Sequence, residues 1–246
     1  MGQVLLNTAE AARFLRVSQA SIRRWSDAGL LPSVRVGRRR ERRFAESDLA
    51  QFLNRAENPS ASHQRKAAID VGGVSIPLPG HLATFFSSDA ARTRLTVPFL
   101  VEGIRSNEQC FLVATDEVLK VYMNDLRNQA GVDLDRATAS GRFIAVDFNG
   151  ATVDKAAAFW EEKFAESLSR NPTVIRHVGE MANVRRMFPS EDEMLRFEEA
   201  LDVMCRRYPV ATICQYDARE FDGQAILRVL KAHPDLFQHR LGAFLI

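Results

Sequence analysis

Five arginines fall within six positions, Arg38, Arg39, Arg40, Arg42 and Arg43, interrupted only by Glu41 and followed by Phe44. Guanidinium groups at this density attract a DNA phosphate backbone by charge and counterion release. Upstream, Ser18, Gln19, Ser21, Arg23 and Arg24 are spaced as on or beside the outer side of a short helix. Arginine can donate two hydrogen bonds to guanine and glutamine can pair with adenine, so this set has the chemistry of base reading. Charge is divided accordingly. Residues 1–55 hold eleven Arg and no Lys against five acids, a net +6, whereas the whole chain is only +2. The remainder is therefore acidic by four charges, and a basic head on a mildly acidic body points to nucleic acid at the basic end.

Elsewhere, local chemistry is sparse. Cys110, Cys205 and Cys214 make no CxxC pair and sit among apolar neighbours, the pattern of buried thiols rather than of a disulfide framework or zinc knuckle. His81, His177, His233 and His239 form no H-x-x-x-H or H-E-x-x-H pair, which leaves open only a metal site assembled from distant residues. No metal and no cofactor is expected. His81 is the histidine to test, against the plainer reading of a structural hydrogen bond. No G-x-S-x-G elbow accompanies the serines.

The elements that must position these groups follow from capping and periodicity. Asn7 with Glu10 has the spacing of a capping box, predicting a helix from Thr8 to about Leu15 that buries Ala11, Ala12, Phe14 and Leu15. Ser18 can cap a second helix that turns Ile22 and Trp25 inward and ends near Gly29. Val34 to Val36 and Arg43, Phe44 alternate around Gly37 as a small hairpin. A closing helix, Ser47 to Arg55, would bury Leu49, Phe52 and Leu53.

This series, SIRRW, AGLLP, a basic wing, RRF and SDLAQFL, resembles the winged helix-turn-helix of the MerR and excisionase superfamily. The resemblance implies that the second helix enters the major groove, with Arg23 reading a base or phosphate and Arg42 holding phosphate from the wing. MerR regulators usually pair through a long helix directly after this head. Here NPSASHQRKAAIDVGGVSIPLPG follows instead, and its Pro, Gly and Ser content predicts a linker over residues 56–77.

In residues 78–246, Gln109 to Thr115, Phe143 to Phe148, Thr173 to Val178 and Val210 to Tyr216 are short, nearly continuous apolar runs, as strands covered on both faces should be. Amphipathic stretches separate them, notably Lys155 to Leu168 and the run after the Ser190/Glu193 box, where Met194, Phe197, Leu201, Met204, Cys205 and Tyr208 recur at helical spacing. Alternating strands and helices predict a three-layer α/β domain with a mostly parallel sheet. Ligands of such folds bind beyond the carboxyl ends of the strands. Thr115 and Asp116, Asp147, Gly179 to Met181, and Gln215 to Asp217 fall there, and could line a mixed polar and apolar pocket or simply cap helices.

HLATFF, PFLVEGIRSNEQCFLVATDE, VIRHVGEM, and ICQYD followed by LRVLKAHPDLF together resemble the MEDS domain, the methanogen/methylotroph, DcmR sensory domain, over roughly residues 78–240. The resemblance implies a RecA/KaiC-like core that senses a small molecule, such as a one-carbon or hydrocarbon derivative. It also brings forward His81, Phe85, Glu102, Gly103, Thr115, Asp116, Glu180, Gln215, Tyr216, His233 and Pro234. Of these His81, Phe85, Thr115, Asp116, Glu180, Gln215 and Tyr216 are the expected ligand contacts. ATP hydrolysis is not expected, because Gly103 leads into IRSNEQC with no second glycine and no Lys-Ser/Thr pair to cradle phosphates. A nucleotide held in some other mode stays open.

With 46% apolar residues the chain can build a sizeable core besides the head. Met1 to Thr8 lacks the basic flank and apolar stretch of a signal peptide, and no run nears the roughly 18 apolar residues of a membrane span, so a cytoplasmic protein is expected. The expected whole is a one-component, non-enzymatic transcription regulator. It binds a double-stranded operator and a small-molecule effector, as a homo-oligomer if pairing comes from the large domain or from adjacent operators. Two other readings stay open: a large domain that docks a signalling protein, and an excisionase-like architectural protein.

Overall fold

A computed structural model describes residues 4–15, 19–27, 31–37, 40–54, 68–147, 152–170, 172–238 and 241–246. Ser18, Arg38, Arg39, the expected helix end at Gly29 and most of the expected linker lie outside them, as do the side chains of Ser21, Arg24 and Leu53.

Near the N-terminus, strand β1 (Leu5–Asn7) runs into helix α1 (Thr8–Phe14) through the expected capping box. The Asn7 side chain accepts from the amides of Ala9 (2.8 Å) and Glu10 (2.9 Å), and the Glu10 carboxylate accepts from the Asn7 amide (2.7 Å). Helix α2 (Gln19–Asp27), strands β2 (Val34–Val36) and β3 (Glu41–Ala45), and helix α3 (Glu46–Asn54) complete the unit. Strand β1 pairs antiparallel with β3, so the wing is a three-stranded sheet in the order β1-β3-β2 rather than a bare hairpin. Gly37 (φ +73°) and Arg40 (φ +48°) turn the chain between β2 and β3 in left-handed conformations. Ala11, Leu15, Ile22, Trp25, Phe44, Leu49 and Phe52 form the core, with the rings of Trp25 and Phe52 5.2 Å apart. Phe14 is exposed, contrary to expectation: with Ala11, Ala12 and Leu15 on the inner face, position 14 points away from it.

Within the stretch read as linker lies a hairpin, β4 (Ala68–Val71) and β5 (Val74–Pro77), joined by Gly72 and Gly73, both at positive φ. Its Ile69, Val71 and Ile76 are buried in the main core, so residues 68–77 belong structurally to the large unit.

The sheet of that unit has five parallel strands in the order β6-β10-β9-β7-β8: β6 (Gly80–Phe86), β7 (Gln109–Val113), β8 (Phe143–Val146), β9 (Ile175–Glu180) and β10 (Val210–Asp217). Helix α4 (Asp89–Arg105) crosses one face, with α5 (Asp116–Arg127) packed on it. Helices α7 (Val153–Ser169), α9 (Glu191–Cys205) and α10 (Gly223–Ala232) cover the other, while α6 (Leu134–Ala139) and α8 (Met181–Met187) flank the strands. This is the three-layer, parallel α/β architecture expected. Ser190 caps α9 by accepting from the Glu193 amide, and the predicted apolar residues of that helix are buried. Among the described residues no helix is long and apolar enough to cross a membrane.

One polar contact sits deep between sheet and helix. Arg176 of β9 and Glu108, before β7, are both buried and joined at 2.6 Å, and Arg176 also donates to the Phe99 carbonyl (2.9 Å) while lying over the Phe99 ring. Gly103 makes room for it: a Cβ there would meet Arg176 Cδ and Cys110 Sγ at 2.6 Å. Gly103→Ala should therefore destabilise the fold by about 1 to 3 kcal/mol, the usual cost of overpacking, measured as a lowered urea midpoint. An unchanged midpoint would show that Arg176 can move aside freely.

Candidate nucleic-acid interface and ligand site

Helix α2 and the wing enclose a cleft of about 460 Å³. Gln19 and Arg23 of α2 line one wall, Arg35 and Arg40 to Arg43 the other, and Asn7 to Ala9 the end. Gln19, Arg23 and Arg40 are exposed, and Arg42 reaches back to the Arg23 carbonyl (3.5 Å). Arg43 is tied to Glu41 at 2.9 Å, which turns its charge along the strand. The cleft thus gathers Gln19, Arg23, Arg40, Arg42 and Arg43 from the expected set, together with Arg35 of the hairpin. A groove with a projecting helix on one side and cations on the other fits the shape and charge of duplex DNA.

The expected ligand contacts do not form one pocket. Residues paired across a sheet point to the same face, and the registers His81↔Thr212, Phe85↔Tyr216 and Gln215↔Glu180 divide the set in two. Glu180 and Gln215 face α4. Glu180 accepts from the Tyr122 hydroxyl of α5 (2.6 Å) and from Gln215 Nε2 (3.3 Å), and Tyr122 also meets Thr96 Oγ1 (2.9 Å). Gln215 donates to the Arg92 carbonyl as well. Thr84 Oγ1 and Gln215 Oε1 in this cluster have no hydrogen-bond partner among the described residues.

His81, Phe85 and Tyr216 face α9 and α10. His81 Nε2 lies 3.3 Å from Cys214 Sγ and 3.6 Å from Glu198 Oε2, and its Nδ1 lies 3.5 Å from Asp202. The Tyr216 hydroxyl donates to Glu198 (3.2 Å), whose Oε2 is 3.1 Å from His233 Nε2. Phe85 stacks on Tyr216 with centroids 5.6 Å apart. Thr115 and Asp116 join neither cluster: Thr115 precedes α5 without a side-chain cap bond, and Asp116 is exposed in its first turn. Where the sequence suggested one strand-end pocket or simple helix caps, the side chains form two buried clusters back to back across the sheet. Glu198, Asp202, Tyr122, Thr96, Thr84 and Arg92 were missed. Glu198 left a signal, because with Met194, Leu201 and Cys205 it lies in the buried stripe of α9, where a carboxylate is out of place.

The MEDS family, described as the methanogen/methylotroph, DcmR sensory domain, matches residues 80–234, and a helix-turn-helix domain family matches residues 5–57. The chain is 32% identical to the transcriptional repressor DcmR of Methylorubrum extorquens strain DM4, an alignment that covers 96% of this chain and 92% of that one. The chain belongs to the MEDS family. Solved structures similar to it include an uncharacterized protein, PH0321, from Pyrococcus horikoshii (16% identity, 62% of this chain and 74% of that one, TM-score 0.49). Another is the flagellar accessory protein FlaH from Methanocaldococcus jannaschii (14% identity, 68% and 77%, TM-score 0.46).

The two clusters of this MEDS domain differ electrostatically. On the α9 face, burial opposes charge on His81, but hydrogen bonds and the Coulomb field of Asp202 and Glu198 outweigh it and raise the imidazole to about 9. On the α4 face, burial pushes the Glu180 carboxyl up to about 7, with the Tyr122 hydrogen bond and Arg92 pulling back only in part. A carboxyl raised in the folded state binds its proton more tightly there than in the unfolded chain. Its contribution is fully present below about 4.5, the ordinary value, and is lost as pH climbs from there through about 7, a change on the order of 3 kcal/mol. Urea midpoints measured from pH 4.5 to 8 should fall more steeply for the wild type than for Glu180→Gln, which keeps an acceptor for Tyr122. Parallel curves would mean that Glu180 is ordinarily ionised.

Proposed function

We propose that the chain is a cytoplasmic one-component transcription regulator. Residues 1–55 read a double-stranded DNA operator, residues 56–67 connect, and the large unit, residues 68–246 with the β4–β5 hairpin included, senses a small molecule of the one-carbon or hydrocarbon-derivative class. The observation that carries this reading is the cationic cleft between α2 and the wing, in a chain that aligns over nearly its whole length with a protein named a transcriptional repressor. The Thr84 and Gln215 side-chain oxygens, without a hydrogen-bond partner among the described residues, support the α4 face as the place where a polar end of the effector is held, with Glu180 and Tyr122 beside them.

Coupling between the halves does not depend on the linker alone. Val203 of α9 is buried in the core of the N-terminal unit, and Arg207, just after α9, lies over the Phe52 ring (5.4 Å) while pairing with Glu161 of α7 (2.6 Å). The same α9 carries Glu198 and Asp202 against the sheet. An effector that prefers one placement of α9 by about 1 to 3 kcal/mol is enough to bias how the head is held. This contact is a direct route, where the sequence alone suggested a change in oligomer geometry.

Full-length protein incubated with fragmented genomic DNA of its source at about 0.15 M salt, conditions under which non-specific binding is weak, should retain a shared site upstream of a few genes. Uniform retention would shift the reading to a protein-docking or architectural role. On the retained site, Arg23→Ala should cost about 1 to 3 kcal/mol, and far less on random DNA. Arg40→Ala should weaken both and reduce the salt slope by about one unit. Equal losses of the Arg23 variant on both DNAs would make Arg23 a phosphate contact.

A further inference from the structure

We propose that His81, Glu198, Cys214 and His233 form a binding site for a transition-metal dication of the zinc type. The four side chains come from β6, α9, β10 and the C-terminal cap of α10, and all are buried. One donor atom from each lies within 4.8 Å of the others. Three of the six edges are 3.3 Å from His81 Nε2 to Cys214 Sγ, 3.6 Å from His81 Nε2 to Glu198 Oε2, and 3.1 Å from His233 Nε2 to Glu198 Oε2, and the others do not exceed 4.8 Å. A tetrahedral ion with bonds of about 2.0 to 2.3 Å to nitrogen, oxygen and sulfur sets donor-to-donor edges of about 3.3 to 3.7 Å. The ion fits with small adjustments of side chains already converging on one point.

Unmet bonding points the same way. Among the described residues Glu198 Oε1 is buried without a hydrogen-bond partner, and His233 Nε2, although 3.1 Å from Glu198 Oε2, makes no bond of hydrogen-bonding geometry, a costly state for polar atoms that converge on one space. The outer contacts are those that ligands of a metal usually have. His233 Nδ1 donates to the Val229 carbonyl (2.8 Å), which leaves the Nε2 lone pair facing the cluster. His81 Nδ1 faces Asp202, and the Tyr216 hydroxyl steadies the Glu198 carboxylate.

Donor chemistry sets the class. Two imidazoles, a thiolate and a carboxylate favour zinc or its neighbours over magnesium or calcium, which take oxygen donors. Two neutral imidazoles with one thiolate and one carboxylate carry two negative charges, which a dication cancels inside the protein. On binding, two protons leave to solvent: the Cys214 S–H bond is replaced by a sulfur–metal bond, and a His81 imidazolium gives up its Nε2 proton so that the nitrogen lone pair can take the metal. Four protein donors close the coordination shell, the arrangement of a structural ion that ties α9 and α10 to the sheet. This site lies on the opposite sheet face from Glu180 and Gln215 and does not depend on the effector reading.

Metal content of full-length protein purified without chelator, followed by Co(II) titration of reduced, chelator-stripped protein, tests the proposal. We expect about one ion per chain, tetrahedral ligand-field bands in the visible, a sulfur-to-cobalt charge-transfer band in the near ultraviolet, and loss of both on adding Zn(II). Cys214→Ser should abolish the charge-transfer band, and Tyr216→Phe, which removes only an outer contact, should weaken Co(II) binding about tenfold. Circular dichroism checks that each variant is folded. Absence of bands in the wild type, or a charge-transfer band that survives in folded Cys214→Ser, overturns the proposal.

Discussion

A parallel sheet covered by helices on both faces leaves four of its five strands, β6, β7, β9 and β10, buried throughout, so a polar side chain on them is costly unless it finds its partner inside the protein. The strands here carry many: Arg176, His177 and Glu180 in β9, Thr212, Cys214 and Gln215 in β10, and His81 and Thr84 in β6. The surrounding architecture answers that demand. Gly103 lets α4 close over Arg176 and Glu108, Tyr122 of α5 reaches to Glu180, and α9 presents Glu198 and Asp202 to His81. The answer is incomplete in places: among the described residues Thr84 Oγ1 and both ring nitrogens of His177 have no hydrogen-bond partner, and the His177 imidazole is pressed against Trp160, so that burial holds it neutral with its pKa down to about 3.

The division of polar groups between two faces follows from the pleat. Neighbouring residues of one strand point in opposite directions, so Cys214 and Tyr216 serve one chemistry while Gln215 between them serves another. Parallel register then aligns each with its counterparts in β6 and β9. A chain that writes CQY in one strand has therefore placed a thiol and a phenol on one side of the sheet and an amide on the other. Only the helices decide what meets them.

Much of the fold was legible from local rules. The Asn7/Glu10 box, the Ser190 cap, the apolar stripe of α9 and four of the five parallel strands are all short-range patterns. Strand β6 was less plain, because its Gly-His-Leu-Ala-Thr start mixes small and polar residues that are buried only through the flanking strand and helices. Strand β1 is three residues long and half-exposed, and owes its existence to pairing with β3. The β4–β5 hairpin was hidden by surrounding Pro, Gly and Ser, although its Gly72-Gly73 turn and alternating Ile69, Val71 and Ile76 are ordinary hairpin chemistry. The candidate sites were legible only as parts. Residue types on strands could be named, but their partners Glu198, Asp202, Tyr122 and Thr96 lie on helices, and helix rotation against a sheet is set by packing across the whole layer.

Helix α9 belongs to two cores at once, since Glu198 and Leu201 face the sheet while Val203 completes the apolar centre of the N-terminal unit. Shuffling of the head among unrelated sensory domains is thereby constrained. A head transplanted without a hydrophobic residue at the Val203 position and a cation at the Arg207 position would leave its Trp25 and Phe52 core open on one side. A transplanted head would need that patch of the large domain's surface to travel with it, so in this chain the unit that closes the head's core is longer than the helix-turn-helix itself.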